Sequence, residues 1–124
     1  MAIVFKVNGQ ECKIVDGEVS PDTSLNTYLR TRLCLTGTKF MCQEGGCGCC
    51  IVTIQGLQPV TQEPFTLAIN SCLFLALSCH GLSVTTIEGL GSKKKGYHAI
   101  QERLANFDGS QCGYCSPGFV MNFS

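Results

Sequence analysis

Four of the chain's cysteines crowd into one short stretch, Phe40-Met-Cys-Gln-Glu-Gly-Gly-Cys-Gly-Cys-Cys-Ile51. Cys42, Cys47 and Cys50 stand in a C-x4-C-x2-C pattern, and Cys72 offers a further thiol downstream. Thiolates at this spacing suit one [2Fe–2S] cluster of the plant type. Two irons and two sulfides need four thiolates converging from about one side. A single loop presents three of them only if it curls tightly, which calls for residues that accept positive φ and carry no side chain towards the metal. Gly45, Gly46 and Gly48 are placed to do this. Their N–H groups can face the cluster's sulfurs as a nest of donors.

The chain has ten cysteines in 124 residues, and three chemistries compete for them. A disulfide scaffold belongs to secreted chains, but the start, Met-Ala-Ile-Val-Phe-Lys, lacks the apolar run of a secretory signal and reads as a true start. A zinc site would join two C-x2-C knuckles. Cys47/Cys50 and Cys112/Cys115 qualify formally, but that choice leaves Cys42 and Cys72 idle. Iron–sulfur ligation employs the most cysteines at meaningful spacings. Of the others, Cys12 and Cys34 read as small core residues. Cys49, as the immediate neighbour of Cys50, is expected to point elsewhere and is left out of the ligand set. His80 and His98 have no partner at metal spacing and read as surface or turn residues.

The elements that must position these thiols follow from pattern. Residues 3–7 and 10–15 read as a hairpin around Asn8-Gly9. Thr23 or Ser24 caps a helix running to about Leu33, with Leu25, Tyr28, Leu29 and Leu33 on one face. The metal loop spans about 36–49. Residues 50–56 and 65–70 read as extended, residues 71–79 as an apolar stretch with a turn or two of helix that brings in Cys72, and residues 82–87 as a last strand. The fold class is α+β, a helix covering one face of a mixed sheet, which suits a β-grasp. Residues 1–91 form this unit. The Ser92-Lys-Lys-Lys-Gly96 linker follows, its lysines solvated or offering a docking patch for a redox partner. Residues 96–124 hold a helix with Ile100, Leu104 and Phe107 on one face, the Cys112-Gly-Tyr-Cys115 knuckle, and a new helix with Ser116 as N-cap and Pro117 first. That helix has barely begun at Ser124, and the chain reads as a piece of something longer. Such a tail is expected to be mobile or sticky, with Phe119, Val120, Met121 and Phe123 stranded, or else to fold back on an apolar patch of the first unit.

Hydrophobic residues make up 44% of the chain, so a core is available. Nine basic residues balance nine acidic ones, which gives no basic face for nucleic acid. No run of 18 apolar residues offers a membrane span.

The motifs Gly37-Thr-Lys-Phe-Met-Cys42, Glu44-Gly-Gly-Cys-Gly48, Asn70-Ser-Cys72, Val84-Thr-Thr-Ile-Glu-Gly89, Gln101-Glu-Arg103 and Gly109-Ser-Gln-Cys-Gly-Tyr-Cys-Ser-Pro-Gly118 cover almost the whole chain. In this order they resemble the N-terminal segment of the molybdenum hydroxylases, the aldehyde oxidases and xanthine dehydrogenases. Phe40-Met41 resembles the aldehyde oxidases more. The resemblance implies a plant-ferredoxin-like domain whose cluster sits on Cys42, Cys47, Cys50 and Cys72, then the start of a helical domain with a second [2Fe–2S] cluster. Cys112 and Cys115 match two ligands of that second cluster, and the family's other two come from a later Cys-x-Cys pair. Gln111 matches a residue near the molybdopterin, although as a residue at a helix end it reads equally well as solvent-facing. Cys49 stands where the family often has a small residue such as Ala.

The resemblance further implies FAD and molybdopterin domains in a cytoplasmic, homodimeric parent. Electrons would leave a molybdenum centre singly and reach FAD, and from there oxygen or NAD. The segment itself would hold no substrate site. A free-standing ferredoxin-like carrier is the alternative, but it would need no second knuckle and would usually be acidic. A zinc-stabilised binding module is the third reading, and visible colour separates it from iron.

Overall fold

The computed structural model, which describes residues 2–124, turns the chain first at Asn8 and Gly9, both at positive φ (52° and 84°). That is the conformation a two-residue hairpin turn of type I′ demands. It pairs β1 (Ala2–Val7) with β2 (Gln10–Val15) in antiparallel register, Phe5 opposite Cys12. Two further strands, β3 (Ile51–Leu57) and β4 (Pro64–Asn70), form a second antiparallel pair with Ile51 opposite Asn70. The short β5 (Ser83–Thr85) joins the pairs, parallel to β1 and antiparallel to β3. The sheet order is β2-β1-β5-β3-β4, a mixed five-stranded sheet of the β-grasp kind.

Helix α1 (Leu25–Thr31) covers one face. Ser24 caps it by accepting the Thr27 N–H. Leu25, Tyr28 and Leu29 meet Phe5, Val7, Ile14, Val52, Ile54 and Val84 in one core. Burial alternates along the strands, as period-two pleating requires: Phe5 and Val7 are buried and Lys6 is exposed. Cys12 packs at the margin of this core, and its partial burial pushes its thiol pKa up.

Cys34 does not join it. Past the C-cap Arg32 the chain doubles back, and the Leu35 N–H donates to the Leu29 carbonyl at 2.8 Å. Cys34 turns that corner in the left-handed region at φ 56°, and its side chain is exposed. The expected final strand is also shorter than its pattern. The Thr86 N–H goes to the Asn8 side chain, and the Thr86 hydroxyl donates to Glu88. The ladder therefore stops, and α2 (Ile87–Leu90) begins. The Ala76–Cys79 segment is one 3-10 turn that buries Ala76 and Cys79.

Beyond the lysine turn, closed by the Ser92–Gly96 bridge, α3 (Ala99–Asn106) starts with a capping box. The His98 imidazole accepts from the Ile100 N–H, and the Gln101 side chain accepts from the His98 N–H. Helix α4 (Ser116–Phe123) lies against β3 and α2. Cys115, not Ser116, is its cap residue, because the Ser116 hydroxyl is engaged with that of Ser110 at 2.9 Å. Of the four apolar residues expected to be stranded, Val120 and Met121 are buried, and Phe119 and Phe123 are exposed. The tail folds back on the first unit. No helix of the described residues is long and apolar enough to cross a membrane.

Candidate metal centre

The loop between α1 and β3 has no regular structure. It is shaped by backbone sign, with Gln43, Gly45 and Gly48 at φ 55°, 85° and 71°. These turns wrap the chain around Cys42, whose Sγ receives the N–H groups of Glu44, Gly46 and Cys47 at 3.4, 3.3 and 3.4 Å. Three N–H donors thus converge on one sulfur, the arrangement that second-shell tuning of a metal-bound sulfur uses. Gly46 is not at positive φ and has open space beside it. It contributes an N–H donor, not the left-handed turn its sequence position suggested.

The fourth thiol arrives by sheet register. Pairing Ile51 with Asn70 sets Cys72 beside Cys50 across the end of the β3–β4 ladder, with the two Sγ atoms 3.5 Å apart. That is close to the ~3.7 Å edge of a tetrahedron of thiolates around a metal with bonds of about 2.3 Å. Two residues that are not cysteines hold this geometry. The buried Asn26 amide donates to the Lys39 carbonyl (3.0 Å) and the Ser71 hydroxyl (3.2 Å), and Ser71 donates to the Cys50 carbonyl (2.6 Å). Helix, both ends of the loop and the Cys72 segment are thus fastened through one polar bracket. The sequence signal was an asparagine beside Leu25 on a helix that is otherwise apolar on that side.

Cys49 does not point away. It is buried, and its Sγ lies 3.4 Å from that of Cys47. Gly48 between them turns the chain enough to set both thiols on one side. Hydrogen bonds from the backbone of Cys42 and Cys49, then from their thiols, bring Cys47 down to about 6. Burial, then the neighbouring Cys47, pushes Cys49 up to about 12. Burial, then the bond with Cys50, raises Cys72 to about 11. The two shifts run in opposite directions, so Cys47 is the more acidic thiol and Cys72 the less acidic. Among the described residues no three Cys, His, Asp or Glu side chains converge on a single-ion point. Cys50 lies against Cys72, and Cys47 beside both Cys42 and Cys49, and thiols grouped in two places suit a cluster of two irons.

Cys112 and Cys115 are exposed. They line a groove of about 380 Å³ between α3 and α4 with Ile100, Leu104, Gln111 and Phe119. Cys115 also faces a second cleft, of about 230 Å³, shared with Cys47, Gly48 and Asn70. The knuckle is tied to the loop at two points. The Tyr114 hydroxyl donates to the Phe40 carbonyl. At the other point Gly118 meets the loop backbone so closely that a Cβ there would lie 2.2 Å from the Gly48 oxygen and 2.8 Å from the Cys49 Cα.

Residues 5–81 match the family described as 2Fe-2S iron-sulfur cluster binding domain, and residues 86–124 match the [2Fe-2S] binding domain. Relatives include aldehyde oxidase 1 of Oryctolagus cuniculus, 47% identical, and xanthine dehydrogenase/oxidase of Gallus gallus, 48% identical. Each match covers 97% of this chain and 9% of the relative. Quinoline 2-oxidoreductase from Pseudomonas putida 86 superposes with a TM-score of 0.80 at 33% identity over 98% of this chain and 66% of its own. Aldehyde oxidoreductase from Desulfovibrio gigas gives the same score and identity, over 98% of this chain and 12% of its own. The chain spans 9–14% of the length of the curated relatives it matches.

Proposed function

This chain belongs to the 2Fe-2S iron-sulfur cluster binding domain family, and we infer that it is the one-electron relay segment of a molybdenum hydroxylase acting on aldehydes or N-heterocycles. Cys42, Cys47, Cys50 and Cys72 hold the first [2Fe–2S] cluster in this reading, and Cys112 and Cys115 give two of the four thiolates of a second. The observation that carries it is the triple N–H donation to the Cys42 sulfur, on a loop whose other end sets Cys50 against Cys72. A bound [2Fe–2S] cluster takes up and gives back one electron. The residues supply placement and tuning. N–H groups aimed at sulfur raise the potential by stabilising negative charge, and burial of Cys50 opposes them. Loading requires deprotonated thiols, and of the two Cys47, held low by its hydrogen bonds, gives up its proton more readily than Cys72, which burial holds high. Cys115 faces the same cleft as Cys47, so in this reading the two sites open onto common space. In this reading the remaining domains of the parent carry FAD and molybdopterin, with Gln111 near the latter. On the resemblance alone, the parent is placed in the cytoplasm as a homodimer.

The test is anaerobic reconstitution of the 124-residue chain, with iron and labile sulfide counted and the visible spectrum recorded. One cluster per chain is expected. It should be lost in Cys42→Ser, Cys50→Ser and Cys72→Ser and retained in Cys112→Ser. A colourless protein that takes up zinc and not iron would defeat the reading.

A further inference from the structure

Ten thiols are more than two clusters would draw from this chain, and the spare ones differ in where they sit. Cys12 contacts the Gln10 carbonyl, Cys79 contacts the Leu75 carbonyl inside the core, and Cys34 is turned outward at a helix end. Cys49 alone lies among the loop thiols, its sulfur 3.4 Å from that of Cys47 and within electrostatic range of Cys42 and Cys50.

We propose that Cys49 is a reserve metal ligand: its thiolate can replace that of Cys47 on the same iron. The inference rests on the ligand reading above, because it presumes that Cys47 holds iron. Its geometry is independent of that reading. A jump between staggered χ1 wells swings a cysteine sulfur by roughly 3 Å, about the separation of the two sulfurs. The Cys49 Cα cannot travel, since Gly118 of α4 is stacked on it, so the exchange is a side-chain rotation with the backbone held. The residue between the two thiols, Gly48, places no side chain in the way. In the exchange Cys49 loses its thiol proton as its sulfur–iron bond forms, and Cys47 is protonated as its bond breaks. No electron changes hands.

The test is reconstitution of Cys47→Ala, Cys49→Ala and the double variant, with Cys50→Ala as the reference loss. Cys49→Ala should keep all its iron, Cys47→Ala should keep most, and the double variant should fall to the Cys50→Ala level. Cys47→Ala losing iron as completely as the double variant overturns the proposal and leaves the ligand reading intact. Cys50→Ala keeping its iron would instead defeat the ligand reading itself. If Cys47→Ala does not fold, Cys47→Ser decides. A visible spectrum like that of the unmodified chain means that Cys49 has taken over, and a blue shift means that serine oxygen binds instead and refutes the exchange.

Discussion

Eleven buried side chains from four strands, α1 and the 3-10 turn meet in the first ninety residues. Helix α3 buries none, and α4 buries Gly118, Val120 and Met121. The β-grasp unit finds its burial within itself, whereas the tail finds it on the metal loop and β3. Composition does not separate the two, since α4 is strongly apolar. What separates them is closure. A sheet covered by a helix leaves little apolar surface without a partner, and two short helices that touch along one edge leave Phe107, Phe119 and Phe123 in solvent. The tail's position is therefore set by a few contacts near the thiols, and the thiol loop is in turn covered by the tail.

Truncating the self-sufficient core should produce the largest effect. Leu29 is fully buried, and Leu29→Ala should cost about 2–5 kcal/mol in urea unfolding of the whole chain. Met121→Ala should leave that global transition in place and speed amide exchange only in α4. A loss of global stability in Met121→Ala equal to that in Leu29→Ala would mean that the two regions form one cooperative unit.

Gly118→Ala attacks the joint. Its new methyl has only loop backbone to displace, and overpacking of this kind costs about 1–3 kcal/mol. The expected result is fast exchange through α4 with β3 protection unchanged. Slow exchange in α4 of this variant would show that the helix is held by something other than this crossing.

A pH effect should belong to the first region alone. Burial pushes Cys79 up to about 12 from an ordinary 9. With the folded value raised, its contribution is complete below about pH 9 and is lost as pH rises from there towards 12. At pH 9.5 the fall is about 1 kcal/mol, read as a lower urea midpoint. Cys79→Ala should remove this share and leave that of Cys49 and Cys72, which burial also raises, and Gly118→Ala should keep the Cys79 share.

Thr38 offers the smallest change. Its hydroxyl is buried with no hydrogen-bond partner among the described residues, and Thr38→Val removes that group at nearly constant shape. Stability should rise by up to about 1 kcal/mol, with no change in α4 exchange. A destabilised variant would mean that the hydroxyl has a partner.

The hairpin, α1 and the β3–β4 pair were legible because period and turn chemistry agree there. Asn8-Gly9 specifies its own turn, and Ser24 specifies its own cap. The placing of Cys34 was not legible, since an apolar helix end looks the same whether its next residue continues inward or closes the helix in the left-handed region. The loop's thiol spacing could be read from the chain, but the Asn26–Ser71 bracket could not, because an asparagine on the apolar side of α1 marks a buried polar contact without naming its partner until β4 sets Ser71 beside the helix. The side to which Cys49 points depends on the turn at Gly48, and the burial of Val120 and Met121 depends on a glycine crossing that pattern alone does not locate.

That crossing also has a meaning in time. A chain is made from its N-terminus at ~5–20 residues per second, and Gly118 is synthesised well after Cys72. For some seconds the four thiols of the proposed first site exist together while the helix that will cover Gly48 and Cys49 does not. A nascent loop in that interval is open to an iron–sulfur donor from the side that α4 later closes. Order of synthesis thus favours loading first and covering afterwards, and a loop that is covered before it is loaded must have α4 moved aside.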